Sequence, residues 1–264
     1  MHDLPLNQAV GLLGLAAPGA PQLLAVVAHG DIRSEQPLLW QLSSALTELG
    51  YGVTVLDGTV NESDSNPGLQ QLLDYEFGRG AAEDDGPVWS VMPAALGLQA
   101  LCALGTRPAD SLQRLGQTFP SNGVIVLYAG VDYLVKLLPD SDIRPLLSVS
   151  SGKSSLLTSY LALKRLLRKA RLEPTVLNMM EHAKEGKGTS AAGVAHSLSE
   201  CARTFLAYEV NAIRIDPSQA ESQFHAEMRR LATRLLENAL ELKSPVPSGS
   251  GFEVSGFREL SRSH

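Results

Sequence analysis

Short apolar runs of Leu, Val, Ile and Ala recur along the chain, and stretches with apolar residues at helical spacing separate them. The first run, "PQLLAVVAHG" (21–30), is apolar on both faces, which is the pattern of a strand buried on both sides. "QPLLWQLSSALTELGYG" follows, with Leu38, Leu39, Leu42, Ala45, Leu46 and Leu49 at helical spacing. Pro37 stands near the start of that helix and Gly50 is its stop. "YGVTVLDGT" is a second buried strand. Strand, helix and strand in this order form a parallel crossover.

The alternation continues. A short helix at 68–77 lies between the polar loops "TVNESDSNPG" and "GRGAAEDDGP", and "VWSVMP" is a third strand. A helix near 107–118, the strands "GVIVLYAGV" and "IRPLLSVS", and the long helix "KSSLLTSYLALKRLLRKARL" come next. The strand "PTVLNMM", a helix over 189–206, the strand "YEVNAIRI" and the helix "QAESQFHAEMRRLATRLLENALEL" complete the pattern. The expected fold is α/β, a mainly parallel twisted sheet with helices on both faces. Residues 1–20 read as an N-terminal arm, 21–242 as the domain, and the Ser/Gly/Pro-rich residues 243–264 as a flexible tail.

Composition narrows the function. A net charge of -6 argues against a nucleic-acid partner, whose binding needs a basic surface. Lys164, Arg165, Arg168, Lys169 and Arg171 cluster, but on a helix such a group reads as a solvated face. Cys102 and Cys201 are expected to be buried thiols in a reducing cytoplasm, and the six histidines lack ligand spacing, so neither a disulfide nor a metal site is expected. The start has no basic n-region, and no run of about 18 apolar residues occurs. A cytoplasmic location is expected.

In a sheet of this kind anions bind where a strand's carboxyl end meets a helix N-terminus. Here that place is "GDIRSEQ", residues 30–36. The chain resembles the MinD/ParA family of deviant P-loop ATPases: "QLSSALTELG" (41–50) is similar to the family's "NLALALAELG", and "VTVLDG" (53–58) to its "VLLLDAD". In that register the family's K-G-G-V-G-K-T falls on Gly30, Asp31, Ile32, Arg33, Ser34, Glu35 and Gln36. The resemblance then implies that Gly30 replaces a lysine that reaches across a dimer, Glu35 the lysine on the β/γ-phosphates, and Gln36 the hydroxyl that holds Mg²⁺. Asp31, Ile32 and Ser34 stand for three glycines. Two unit charges about 4 Å apart interact by roughly 4 kcal/mol at an effective dielectric near 20, so exchanging Lys for Glu turns that attraction into repulsion. No nucleotide cofactor and no ATPase activity are expected.

"SVSSGKSSLL" (148–157) offers a second Gly-Lys-Ser. A Walker loop would need a glycine at Leu147, so Gly152-Lys153-Ser154 reads as a helix start with Ser at a capping position. The stretch is similar to the family's "TPEPTSLTDAYALIKVL", with Ser155, Leu156, Tyr160 and Lys164 on their counterparts and Asn178 on the Asn of the next strand. An ATPase with an unorthodox site on Lys153 or Asp57 is the alternative. Asp57 has lost its companion aspartate to Thr59, and "VIVLYAG" lacks the aspartate expected before the switch loop.

Residues 7–13, "NQAVGLL", are similar to the "DQAxxLR" arm of the FlhG (FleN) branch, which controls flagellar number and placement. The resemblance implies partner contacts by Asn7, Gln8, Ala9, Val10, Leu12 and Leu13. The partner would be a signal-recognition-type GTPase like FlhF, and Gln8 would assist its hydrolysis. The other reading of the arm is a short helix packed on its own domain. The chain is expected to be monomeric, or dimeric independently of nucleotide, with little membrane binding. A degenerate relative serving cellulose secretion or pilus localisation is a further alternative to the flagellar role.

Overall fold

A computed structural model describes residues 19–74, 89–103, 105–151, 153–179 and 191–242. Eight strands form one sheet: β1 (Gln22–Ala28), β2 (Val53–Asp57), β3 (Trp89–Pro93), β4 (Val124–Gly130), β5 (Leu146–Val149), β6 (Thr175–Met179), β7 (Asn211–Ile215) and β8 (Leu240–Glu241). The order across the sheet is β3-β2-β4-β1-β5-β6-β7. These seven strands pair in parallel, and only β8 is antiparallel, pairing Leu240 and Glu241 with Leu23 and Gln22. β1 therefore shares one edge between β8 at its start and β5, through Val26 and Leu146, nearer its end.

Eight helices are described: α1 (Ile32–Glu48), α2 (Leu69–Asp74), α3 (Ala95–Leu101), α4 (Pro108–Thr118), α5 (Val131–Leu137), α6 (Lys153–Ala170), α7 (Ala191–Leu206) and α8 (Glu221–Glu237). The strand period of two divides the core. Leu23, Ala25 and Val27 of β1 and Ile125, Leu127 and Ala129 of β4 pack under α2 to α7. Leu24 and Val26, with Val124, Val126 and Tyr128, pack under α1 and α8. The expected fold class is the observed one.

Several expectations need correction. Helix α1 begins at Ile32, five residues before Pro37, so the proline lies inside it. Its ring removes the N–H that would bond the Arg33 carbonyl one turn back. Helix α8 stops at Glu237, short of the predicted end at 242, because Asn238 ends it and donates its side-chain amide to the Arg234 carbonyl. Ser154 is the second residue of α6 rather than its cap. The two thiols are half-buried and free, and burial, partly offset by Lys136, pushes Cys102 up to about 11. The cationic cluster on α6 is in part paired, Arg165 with Asp132, and Arg171 just beyond the helix with Asp140 at 3.5 Å. Among the described residues no helix is long and apolar enough to cross a membrane. The arm residues Asn7 to Leu13 and the tail 243–264 lie outside the described residues.

Candidate functional site in the crevice beside β1

The chain leaves β4 for β5 by passing over β1, so the carboxyl ends of β1 and β5 border a crevice at a topological switch point. Its walls are Gly30, Asp31, Ile32 and Arg33 after β1, and Ser150, Ser151 and Ser154 after β5, around about 370 Å³. The structure thus brings the altered loop and the second Gly-Lys-Ser region to opposite sides of one cleft. Gly30 turns the chain with φ +93°, a conformation that favours glycine, and Asp31 leads directly into α1.

The interior of that turn is already filled. The Glu35 side chain is fully buried and folds back into the loop. Its Oε1 accepts the backbone N–H groups of His29 and Asp31, each at 2.9 Å. The Tyr128 hydroxyl, reaching up from β4, donates to Oε2. The His29 ring lies beside it, with Nε2 3.4 Å from Oε1. That Nε2 donates to the Ser148 carbonyl at 2.9 Å, and Nδ1 meets the Thr158 hydroxyl at 2.9 Å, tying the loop to β5 and α6. Ser34 adds a third tie through the Ser148 hydroxyl at 3.0 Å.

A loop whose amides converge is an anion seat, and here the anion is the chain's own carboxylate. Burial first, then the hydrogen bond to Glu35 and the charges of Glu35 and Asp57, push the Tyr128 phenol far above its ordinary range, so it stays a donor. Burial acts to raise Asp31. The surrounding hydroxyls of Ser150, Ser155 and Ser34, with His29, outweigh it and hold the carboxyl below the usual carboxylate range. The cleft therefore presents a second negative charge to any incoming phosphate.

The remaining sequence candidates sit as follows. Gln36 faces away from the loop, into a separate cavity between α1 and β3. Asp57 Oδ1 accepts the N–H of Thr59 at 2.9 Å and its hydroxyl at 2.6 Å, closing a local turn. Lys153 is the first residue of α6. Among the described residues no three of His, Cys, Asp and Glu converge as metal ligands.

Sequence reasoning overlooked three participants: His29, Tyr128 and Glu62. Glu62 is buried in the loop after β2, and its carboxylate accepts the N–H groups of Leu96, Gly97 and Gln70 at 2.7, 2.8 and 3.2 Å. It thereby satisfies the starts of α2 and α3 together. The loops after β1 and β2 thus each hold an internal carboxylate on backbone amides.

No protein-family model and no curated protein sequence matches this chain. Among solved structures it is similar to a plasmid partition protein from Borrelia burgdorferi, at 12% identity over 83% of this chain and 99% of that one, with a TM-score of 0.54. It is also similar to McdA of Cyanothece, solved in complex with ATP, at 12% identity, 80% and 88% coverage and a TM-score of 0.48. MinD from Aquifex aeolicus follows at 15% identity, 84% and 99% coverage and a TM-score of 0.46. At 12% identity the likeness to the plasmid partition protein establishes a shared fold and nothing finer.

Proposed function

We propose that the chain is a non-catalytic regulator with a MinD/ParA-like fold, similar to FlhG, that acts through protein contacts in flagellar assembly or placement. One observation carries the non-catalytic part: the Glu35 carboxylate occupies the amides of the loop after β1, where a nucleotide phosphate would have to bind. A phosphate entering there must displace a carboxylate from two backbone donors and a phenol. Hydrogen bonds to a charged group contribute about 1.5–3 kcal/mol each, so displacement alone opposes binding by several kcal/mol. By affinity arithmetic, each 1.4 kcal/mol is about tenfold in the dissociation constant. The tie between Asp57 and Thr59 gives no support to a nucleotide site built on Asp57. The flagellar part rests on the "NQAVGLL" resemblance.

Calorimetry with Mg-ATP and Mg-ADP tests the reading. The expected result is no heat of binding up to millimolar nucleotide, unchanged by Lys153→Ala. Light scattering should give the same mass with and without ATP. A micromolar dissociation constant, or an ATP-induced doubling of mass, would overturn it.

A further inference from the structure

A second cavity, of about 270 Å³, opens on the α1 side of the sheet, away from the crevice beside β1. Its floor is set by strand register. Val53 pairs with Trp89 and Val55 with Val91, so Val55, Trp89 and Val91 project from the same face. β3 is the sheet edge, and α1 covers it only in part: Val91 is 56% and Trp40 60% exposed. Trp40 meets Trp89 edge to face, with ring centroids 4.7 Å apart, and Leu39 completes the apolar wall.

One polar group lining this cavity is buried without a partner, and a second is a partly exposed carboxylate. Ser43 of α1 is fully buried, and its hydroxyl has no hydrogen-bond partner. Helix serines and threonines elsewhere in this chain bond the carbonyl one turn back, as Thr47, Ser159, Ser197 and Ser199 do. Ser43 does not, and a buried hydroxyl left unpaired costs about 1–3 kcal/mol, so such a group calls for an occupant. Asp57 lies at the strand carboxyl end of the cavity. Its Oδ1 is taken by Thr59, and among the described residues Oδ2 has no hydrogen-bond partner.

We propose that this cavity binds a small aromatic amine whose ring carries an oxygen. The ring lies against Trp40, Trp89 and Val91, where aromatic edges and faces are both offered. The ammonium pairs with Asp57 Oδ2, beside Gln36 and close enough to the indoles to gain from their π faces. The ring oxygen accepts the Ser43 hydroxyl proton. Of the stretch 30–36 only Gln36 lines this cavity, and none of the crevice's lining residues does, so the site stands whether or not the chain binds nucleotide.

The chain's only tryptophans are the two that line the cavity, so tryptophan fluorescence excited beyond the tyrosine band reads this site alone. Tyramine, with excitation beyond the phenol band, should change that fluorescence saturably. Phenethylamine, which lacks the oxygen, and 4-hydroxyphenylpropionate, which reverses the charge, should each bind at least tenfold more weakly. Asp57→Asn should remove the preference for amine over carboxylate, and Ser43→Ala the preference for tyramine over phenethylamine. Ser43→Ala should also raise the melting temperature of the free protein. No saturable change with tyramine overturns the proposal, as does equal binding of the amine and the carboxylate by the unaltered protein. Discrimination that persists in both folded variants overturns it too.

Discussion

Glu35 stands where the resemblance expects a lysine, and its sequence reading is a reversal of charge. The structure adds a positive role: the carboxylate is ligated by its own loop and so replaces the missing anion. Charge reversal was legible from the register; the ligation was not, because the His29 N–H turns toward Glu35 only in the folded loop and Tyr128 reaches it by tertiary packing across 93 residues of sequence. Tyr128→Phe should leave Oε2 of a buried carboxylate without its donor, at a cost of about 1.5–3 kcal/mol in urea unfolding. A neutral substitution would show that the phenol does not hold Glu35. Asp31 gives a pH signature with a definite sign. Its folded pKa lies below the ordinary value, so its contribution to stability is present above about pH 4 and is lost as pH falls through the lower folded value. Asp31→Asn should therefore destabilise the protein at neutral pH, and the difference from the unaltered protein should close in acid. A difference constant down to pH 3 would contradict a lowered folded pKa at Asp31.

At the level of elements, long segments with strong periodicity were legible and short ones were not. The strands β1, β2 and β4 and the helices α6 and α8 carry their own pattern, and the expected positions hold within a few residues. Helices α3 and α5 have seven residues each, too few to display a period, and β8 has two. Helix α3 also has no capping side chain of its own; its start depends on Glu62, 34 residues away from Leu96. The start of α1 was missed because Pro37 reads as a first-turn signal, while the buried Ser34 and Glu35, bonded to Ser148 and Tyr128, hold a further turn before it. Gly97 shows what holds the pair α2 and α3 together. A Cβ there would lie 2.6 Å from Leu69 Cγ and 2.8 Å from the Gln70 nitrogen, so only glycine lets α3 approach closely enough for Glu62 to cap both helices. Gly97→Ala should cost about 1–3 kcal/mol by forcing the helices apart. Thermal unfolding would check it, and a gain in stability would mean that the two starts are not coupled.

Over the whole molecule, the ends of the described domain meet at the start of β1. Leu242 donates its N–H to the Pro21 carbonyl, and Gly19 donates to the Asn122 side chain. β1 then runs seven residues, about 20 Å at a strand's rise, before it reaches the Glu35 loop. Gly19, the first described residue, therefore lies at the opposite end of the sheet from the crevice. Deleting residues 1–16 should leave the circular dichroism spectrum and melting temperature unchanged. If "NQAVGLL" has the role that the FlhG resemblance implies, the same deletion should abolish binding to a signal-recognition-type GTPase. Val10, Leu12 and Leu13 would supply the apolar face, and Gln8 would orient the attacking water, a task suited to its amide. Leu13 stands where the motif has Arg, so a charge-assisted hydrogen bond worth about 1.5–3 kcal/mol is missing. Binding should accordingly be weaker than for an arm with the full motif, and Leu13→Arg should strengthen it. Gln8→Ala should preserve binding and lower stimulated GTP hydrolysis. Unfolding on deletion would make the arm part of this domain's core, and undiminished GTPase binding without it would remove Gln8 from the function.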